Sequence, residues 1–308
     1  MTGYRESRMN NKDYRALARP YMVTDGRRFR LKDHRSTGPG HSAAKHDTKK
    51  FLKAGMKVLC GLQEKLYAQD RWGLLLIFQA MDASGKDSAI KAVLSGLDPI
   101  GCQVYSFKAP SSEELDHDFM WRTSKSVPER GRIGVFNRSY YEETLIVRVH
   151  PTILSSQKLP PELVTKRIWN ERFEDINAYE RYLARQGYVI RKFFLNISRA
   201  EQRRRFMARL DRPEKNWKFE LGDLSERGRW RQYMAAYEDM VRRTATPHAP
   251  WVVIPSDDKK YARTVIAAAI IDALNGLHLK YPAVDAEQKR ALARARRLLN
   301  QETPRGKP

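Results

Sequence analysis

From residue 74 onward the chain alternates short, uninterrupted apolar runs with longer stretches whose apolar residues return every three or four positions. The clearest run is Leu74-Leu75-Leu76-Ile77-Phe78, and its lack of polar alternation predicts a strand buried on both faces. Before it, Phe51, Leu52, Met56, Leu59, Leu62 and Leu66 fall near helical spacing and predict an amphipathic helix over about 44–69. After it, Ile90, Val93, Leu94 and Leu97 recur at i, i+3, i+4 and i+7, which predicts a helix over 86–97. Further strands are expected at 102–108, 132–137, 188–197 and 251–254. Further helices are expected near 112–125, at about 162–186 before Gly187, from a Ser198/Glu201 capping box onward, and at 262–274 before Asn275-Gly276. Strands alternating with helices predict an α/β fold built on a doubly wound parallel sheet. Ligands of such sheets bind beyond the carboxyl ends of the strands, where the loops after Phe78, Phe107 and Phe136 should lie.

The first 40 or so residues break this pattern, being rich in charge, Gly, Ser and Pro, as in STGPGHS at 36–42. They predict an irregular basic arm over 1–42, followed by the main domain over 43–280 and a basic C-terminal helix or tail over 281–308. A chain of 308 residues with 41% hydrophobic content can bury a sizeable core. Cys60 and Cys102 offer neither a disulfide framework nor metal-ligand spacing, which fits a reducing compartment, and both read as buried small hydrophobes. No apolar stretch approaches the roughly 20 residues of a membrane span, and the N-terminus has no signal-peptide h-region. A cytoplasmic protein without membrane contact is expected.

The formal charge of +22 narrows the partners to polyanions: nucleic acid, an anionic surface or a phosphate-rich substrate. Residues 1–50 carry a net +8 and residues 285–308 a net +4, which leaves +10 on the body of the chain.

Three constellations carry chemistry. Ala80-Met81-Asp82-Ala83-Ser84-Gly85-Lys86-Asp87 sits between a predicted strand and a predicted helix, the context in which a phosphate-binding P-loop is credible. It is a variant, with Ala80 at the first glycine position and Asp87 at the Ser/Thr position. Gly85 lets the backbone approach phosphate, amides from Ala83 to Ser88 point at the anion, and Lys86 adds a charge at the transferring group. Asp82 replaces the missing hydroxyl as a metal ligand. The second constellation, Asn137-Arg138-Ser139-Tyr140-Tyr141-Glu142-Glu143, follows the third predicted strand. Asn137 can hold a metal-bound water but brings no charge, so Glu142 or Glu143 would supply a second carboxylate, while Arg138 can clamp phosphate bidentately. The third runs from Ser198 to Phe219: Arg205 and Arg209 share one helix face, and Lys215 and Lys218 follow a break at Pro213. Such a segment, over about 199–228, suits a lid that neutralises charge as it closes; a solvated basic helix is the bland alternative. Lys108, after the second predicted strand, can reach the same crevice.

Several motifs occur in order: Leu62-Gln63-Glu64-Lys65-Leu66-Tyr67, Asp82-Ala83-Ser84-Gly85-Lys86-Asp87, Ser106-Phe107-Lys108, Glu113 to Phe119, Phe136-Asn137-Arg138-Ser139, Arg209-Leu210-Asp211, Asn216-Trp217-Lys218-Phe219 and Ala249-Pro250-Trp251. Together they make the chain, from about Phe29 to Leu274, resemble the polyphosphate kinase 2 family. The resemblance implies a P-loop kinase fold, thymidylate-kinase-like, with a helical lid. It also implies Mg²⁺ dependence, with Mn²⁺ as a substitute, and reversible transfer of the terminal phosphoryl group of polyphosphate to AMP or ADP. Many members carry Asp where this chain has Asn137 and Asn where it has Glu142, and the Asn-Arg-Ser-x-Tyr-Glu form looks like the class III branch, whose members accept both AMP and ADP. Asp82, Lys86 and Arg138 carry over residue by residue as catalytic groups. A homo-oligomer, dimer or tetramer, is expected.

Two rivals fit parts of the pattern. An ATP-dependent nucleoside monophosphate kinase has the same fold and differs in its donor. A non-catalytic nucleic-acid-binding protein would use the basic surface but leaves the P-loop unexplained and shows none of the usual recognition motifs.

Overall fold

The computed structural model describes residues 11–39 and 45–301. Six strands form one sheet: β1 (Met22–Val23), β2 (Gly73–Ala80), β3 (Cys102–Ser106), β4 (Ile133–Asn137), β5 (Tyr188–Asn196) and β6 (Trp251–Pro255). Their order is β1-β6-β5-β2-β4-β3. β2 to β6 run parallel, and only β1 pairs antiparallel, on the outer edge of β6. The principal helices are α1 (Asn11–Ala18), α2 (Lys45–Gln69), α3 (Lys86–Leu94), α4 (Ile168–Arg185), α5 (Arg199–Leu210), α6 (Gly222–Gly228), α7 (Trp230–Thr244), α8 (Lys259–Asn275) and α9 (Ala286–Gln301).

The run 74–78 is apolar throughout because β2 lies mid-sheet and both faces are covered. Leu74, Leu76 and Phe78 pack with α1, α2, α3 and α8 on one face; Leu75 and Ile77 pack with α4 and α7 on the other. Side chains alternate across a strand, so one five-residue run feeds two cores. The N-terminal segment departs from expectation. Residues 11–39, read as an irregular arm, contain α1 and β1, and bury Tyr14 and Ala18 against α2 and α8 and Phe29 on the opposite face. Scattered apolar residues, too sparse to show a period, did the anchoring. Residues 1–10 and 40–42 of the expected arm lie outside the described residues, as do 302–308 of the tail, whose α9 buries no side chain.

Two helix boundaries also differ. The stretch 112–125 is two single turns, because the Asp118 carboxylate accepts from the Met120 N–H at 2.8 Å and starts a new turn. The helix expected from 162 begins at Ile168, after Thr165 Oγ1 accepts from the Arg167 N–H. Cys60 and Cys102 are half-buried rather than buried, both bonded near the α3–β3 connection. Among the described residues no helix is long and apolar enough to cross a membrane.

One polar network lies inside the second core. Lys192 of β5 and Glu180 of α4 are both fully buried and 2.6 Å apart. Lys192 Nζ also donates to Tyr141 Oη and the Thr244 carbonyl, each at 2.8 Å, so its three protons are used. Glu180 Oε1 accepts from the hydroxyls of Tyr140 (2.9 Å) and Tyr141 (2.8 Å). Burial pushes the Lys192 ammonium down to about 8, against the opposing pull of Glu180. Glu180→Gln should therefore cost about 3–5 kcal/mol in denaturant unfolding near neutral pH, because it strands a buried cation. Loss of Glu180 lowers the native pKa of Lys192 further, so the penalty is largest at low pH and shrinks as pH rises and the lysine sheds its proton. A penalty independent of pH would show that packing, not charge, is lost.

Candidate active site

At the end of β2 the chain turns through Met81–Gly85 into α3, beyond the carboxyl edge of the sheet. Two residues of the turn have left-handed backbone, Ala83 at φ 60° and Gly85 at φ 98°. Gly85 is required there, since a non-glycine residue at that φ is strained. The first-turn amides of Lys86, Asp87 and Ser88 have no carbonyl partner within the helix and face the same opening. Lys86 is half-buried beside them. Burial and the neighbouring Arg138 push its ammonium down to about 8, while Glu142, Asp82 and Asp87 pull the other way.

β4 delivers the second wall. Arg138 donates its N–H to the Phe78 carbonyl (3.0 Å), extending the β2–β4 ladder by one bond, and then adopts a left-handed φ of 65°. A non-glycine residue held there costs about 1 kcal/mol or more and is typical of functional turns. Its guanidinium lies 3.4 Å from Asp82 Oδ1, with both groups partly exposed. Such a pair contributes at most about 1 kcal/mol, so an arriving phosphate can displace Asp82 from it. Asn137 Nδ2 donates to Asp87 Oδ1 (3.0 Å) and Ser106 Oγ (3.2 Å), tying together the ends of β3 and β4 and the start of α3. Glu142 accepts from buried Gln79 at 2.8 Å when the Gln79 amide is oriented to accept from Ser139 N–H. It is the largest influence holding Arg138 above its ordinary pKa.

These elements open onto a cleft of about 880 Å³. Ten Lys and Arg side chains line it against three Asp and Glu, and although Arg204 and Arg205 pair with Glu201 and Arg209 with Asp223 just outside the lining, the excess favours an anionic ligand. Residues 42–282 match the family described as Polyphosphate kinase 2 (PPK2). The chain belongs to the polyphosphate kinase 2 family. It is 50% identical over 250 residues to an ADP-polyphosphate phosphotransferase of Rhodopseudomonas palustris, covering 81% of this chain and 86% of that one. It is 40% identical over 266 residues to an AMP/ADP-polyphosphate phosphotransferase of Meiothermus ruber, covering 85% and 94%. A solved polyphosphate kinase 2 from Arthrobacter aurescens superposes with a TM-score of 0.81 at 41% identity, over 90% of this chain and 96% of that one. The fold is thus the P-loop kinase fold, and the enzyme is a polyphosphate:nucleotide phosphotransferase.

Within this polyphosphate kinase 2 cleft the structure gathers most of the expected residues: Asp82 to Ser88, Lys108, Asn137, Arg138, Arg209, Lys215 and Lys218 all line it. Four differ from expectation. Glu142 is not among the residues that line the cleft, although it sits beside Arg138. Glu143 is buried and faces a separate, smaller hollow, where it accepts from Gln157 at 2.6 Å, so it is no metal ligand of this cleft. Arg205 touches the cleft wall, but its donors are spent on protein carbonyls and Glu201 rather than turned over a phosphate. Arg209 is engaged within the lid segment, donating to the Lys218 carbonyl (3.0 Å) and Asp223 Oδ2 (3.1 Å). The capping box at Ser198 is half formed: Ser198 Oγ accepts from Glu201 N–H, but Glu201 turns to Arg204 and Arg205 and the Ser198 N–H goes to Asp257.

Arg204, which flanks the basic helix face, also lines the cleft, as do Arg212 and Lys259, which were not expected. Lys259 opens α8 just after β6, and a loop at the carboxyl end of a parallel strand was the available signal. Kinases of this family need a divalent cation. Among the described residues no cluster of three or more His, Cys, Asp or Glu is poised for one, but cations that keep waters and take substrate phosphate oxygens need only one or two carboxylates. Asp82 at the cleft, with Glu142 beside Arg138, fits that requirement.

Lys86→Ala should reduce transfer on the order of 100-fold or more with an unchanged unfolding midpoint, because the side chain points into the cleft and supports no core packing. Residual activity within threefold of wild type would remove its phosphate role. The pH profile gives a second check. A lysine grips phosphate only when charged, so if Lys86 has that role kcat/KM for the phosphate donor should fall as pH rises through about 8 in the free enzyme. Lys86→Arg should shift that limb to higher pH whatever its absolute rate.

Proposed function

We propose that this enzyme moves the terminal phosphoryl group of inorganic polyphosphate to AMP or ADP, reversibly, with Mg²⁺, in the cytoplasm. The observation that carries the donor is the cleft: ten cations gathered around one P-loop exceed what a single nucleotide requires and suit a chain with charge on every residue. The names of the relatives support adenine nucleotides as acceptors. A homo-oligomer is supported by β3, an edge strand that leaves Val104 and Tyr105 exposed beside Ile100.

Lys86 and the amides of the P-loop hold the transferring phosphoryl group, and Arg138 leaves Asp82 to grip an accepting or transferring phosphate. Asp82 and Glu142 would hold a Mg²⁺ ion, with Asn137 available to a water of that ion, and the ion would neutralise phosphate oxygens. An acceptor phosphate oxygen attacks the terminal phosphorus in line, and the bridging P–O bond breaks with its electrons leaving on the shortened chain. No covalent enzyme intermediate is needed, because positioning and charge neutralisation lower the barrier. Lys215, Lys218 and Lys108 line the same cleft and would serve the rest of an extended donor.

The purified enzyme should phosphorylate AMP and ADP from polyphosphate in the absence of ATP; failure with both acceptors would defeat the reading. A long donor should release several counterions on binding, so its apparent KM should rise steeply with salt while that of AMP rises little. Equal salt slopes would point to an ATP-type donor instead. Asp82→Asn should abolish most activity, with partial rescue by raised Mg²⁺, and Asn137→Asp should be mild. Comparable damage from both would show that the metal site is divided differently.

A further inference from the structure

The helix α5 was expected to close over the substrate, yet two of its side chains grip the P-loop from behind. Gln202 and Arg205 lie one turn apart and are buried, at 0% and 6% exposure. Gln202 Nε2 donates to the Asp82 carbonyl at 3.0 Å. Arg205 Nη1 donates to the carbonyls of Ala83 (3.1 Å) and Ser84 (2.5 Å). Three successive carbonyls of the loop are therefore held by one helix face. The remaining donors of Arg205 go to Ser256 (2.5 Å) and Asp257 (3.2 Å) carbonyls through Nη2, and to Glu201 Oε1 (2.7 Å) through Nε. A guanidinium has five N–H groups, and these five bonds use them all.

The direction of a carbonyl decides the direction of the next amide, because the two point oppositely across a planar trans peptide. Drawing the Ser84 carbonyl toward Arg205 aims the Gly85 N–H into the cleft, beside the first-turn amides of α3. Drawing the Ala83 carbonyl the same way turns the Ser84 N–H to the Met81 carbonyl (3.2 Å), which closes the turn. The left-handed φ of Ala83 opposes this arrangement, and a loop carrying such strain keeps its shape only when its surroundings over-determine it. The other end of Gln202 faces the lid: its Oε1 accepts from Arg227 Nη1 at 2.8 Å, and Arg227 also donates to the Arg199 carbonyl at 2.9 Å. A bonded path thus runs from α6 through Gln202 to the backbone of Asp82.

We infer that Gln202 and Arg205 are positioning residues: they fix the P-loop with its amides presented to phosphate, and the Arg227–Gln202 bond couples the position of α6 to that loop. Neither residue touches substrate. The movable part of the lid then begins after Leu210, with α5 a fixed part of the phosphate site. This inference rests on the phosphate-binding reading of the loop given above.

Substitution with a charge-conserving residue separates positioning from direct phosphate contact. Lysine keeps the charge of Arg205 but cannot span Ala83, Ser84, Ser256 and Asp257 at once. If Arg205 positions the loop, Arg205→Lys and Arg205→Met should each lower kcat at least tenfold, and by similar amounts, while the salt slope of the polyphosphate KM stays at its wild-type value. If Arg205 instead neutralises phosphate, Arg205→Lys should stay within threefold of wild type and Arg205→Met should flatten the slope by about one released ion; that result overturns the inference. Gln202→Met, which keeps the volume and adds no charge, guards against an unfolded Arg205 variant: it should lower kcat at least fivefold with the unfolding midpoint of the wild type. Arg227→Gln tests the coupling and should lower kcat with little change in the KM for polyphosphate. Wild-type rates in Gln202→Met and Arg227→Gln would refute the path. Calorimetric binding of inorganic tripolyphosphate is measured on the same proteins. Wild-type protein that binds it through Lys86 but transfers nothing would defeat the phosphotransfer reading alone, leaving positioning to be judged by weakened binding in Gln202→Met.

Discussion

Mutual repulsion among ten cations around one cleft is the constraint on which the rest of this architecture depends. Like charges gathered in a partly desolvated space raise one another's energy; burial first, and neighbouring cations after it, push the ammoniums of Lys86 and Lys259 down to about 8. Lys259 has Arg205, Arg263 and Arg204 as neighbours, with Glu201 alone pulling the other way. A protein can tolerate such a cluster only if its frame is held by forces unrelated to the cluster itself. Two apolar layers on either face of the parallel sheet provide that frame, and a substrate with opposite charge relieves the repulsion on binding.

Charged groups are divided by where they spend their hydrogen bonds. Lys192 and Glu180 satisfy each other and two tyrosine hydroxyls, so they hold Tyr140 and Tyr141, and with them the turn carrying Arg138 and Glu142, without projecting any charge into the cleft. Arg205 is spent on carbonyls in the same way. Arg138, by contrast, has one long contact to a partly exposed carboxylate and remains exchangeable. The bonding economy of each cation separates scaffold from site more sharply than its position in the chain.

That distinction explains what could be read from the amino-acid order. The strand at 74–78, the P-loop after it and the turn at Asn137-Arg138 were legible because periodicity and local backbone demands are encoded by neighbouring residues. The packing of Tyr14 and Phe29 was not, since it depends on partners on α2, α8 and α7 far along the chain. Glu142 and Glu143 were indistinguishable as a pair of adjacent acids, and only the three-dimensional fold sends one toward Arg138 and the other toward Gln157. Spacing placed Arg205 and Arg209 on one helix face, yet it could not reveal that the facing surface is the back of the P-loop for one and the lid segment for the other.

Carbonyls of Asp82, Ala83 and Ser84 are bonded to α5, so α5 cannot swing away without dismantling the turn that presents amides to phosphate. The region after Leu210 has no such tie to the loop beyond Arg227, and it leaves Trp217 and Leu221 largely exposed. Arg209, near the end of α5, donates to the Lys218 carbonyl and to Asp223 Oδ2, so these bonds moor the segment to α5 and any swing of it away from a fixed α5 has to break them. On the function proposed above, closure would therefore fall to the segment bearing Arg212, Lys215 and Lys218, which line the cleft. Catalysis by positioning tolerates little slack at the reacting end, whereas a donor of variable length has to be admitted and released at the other.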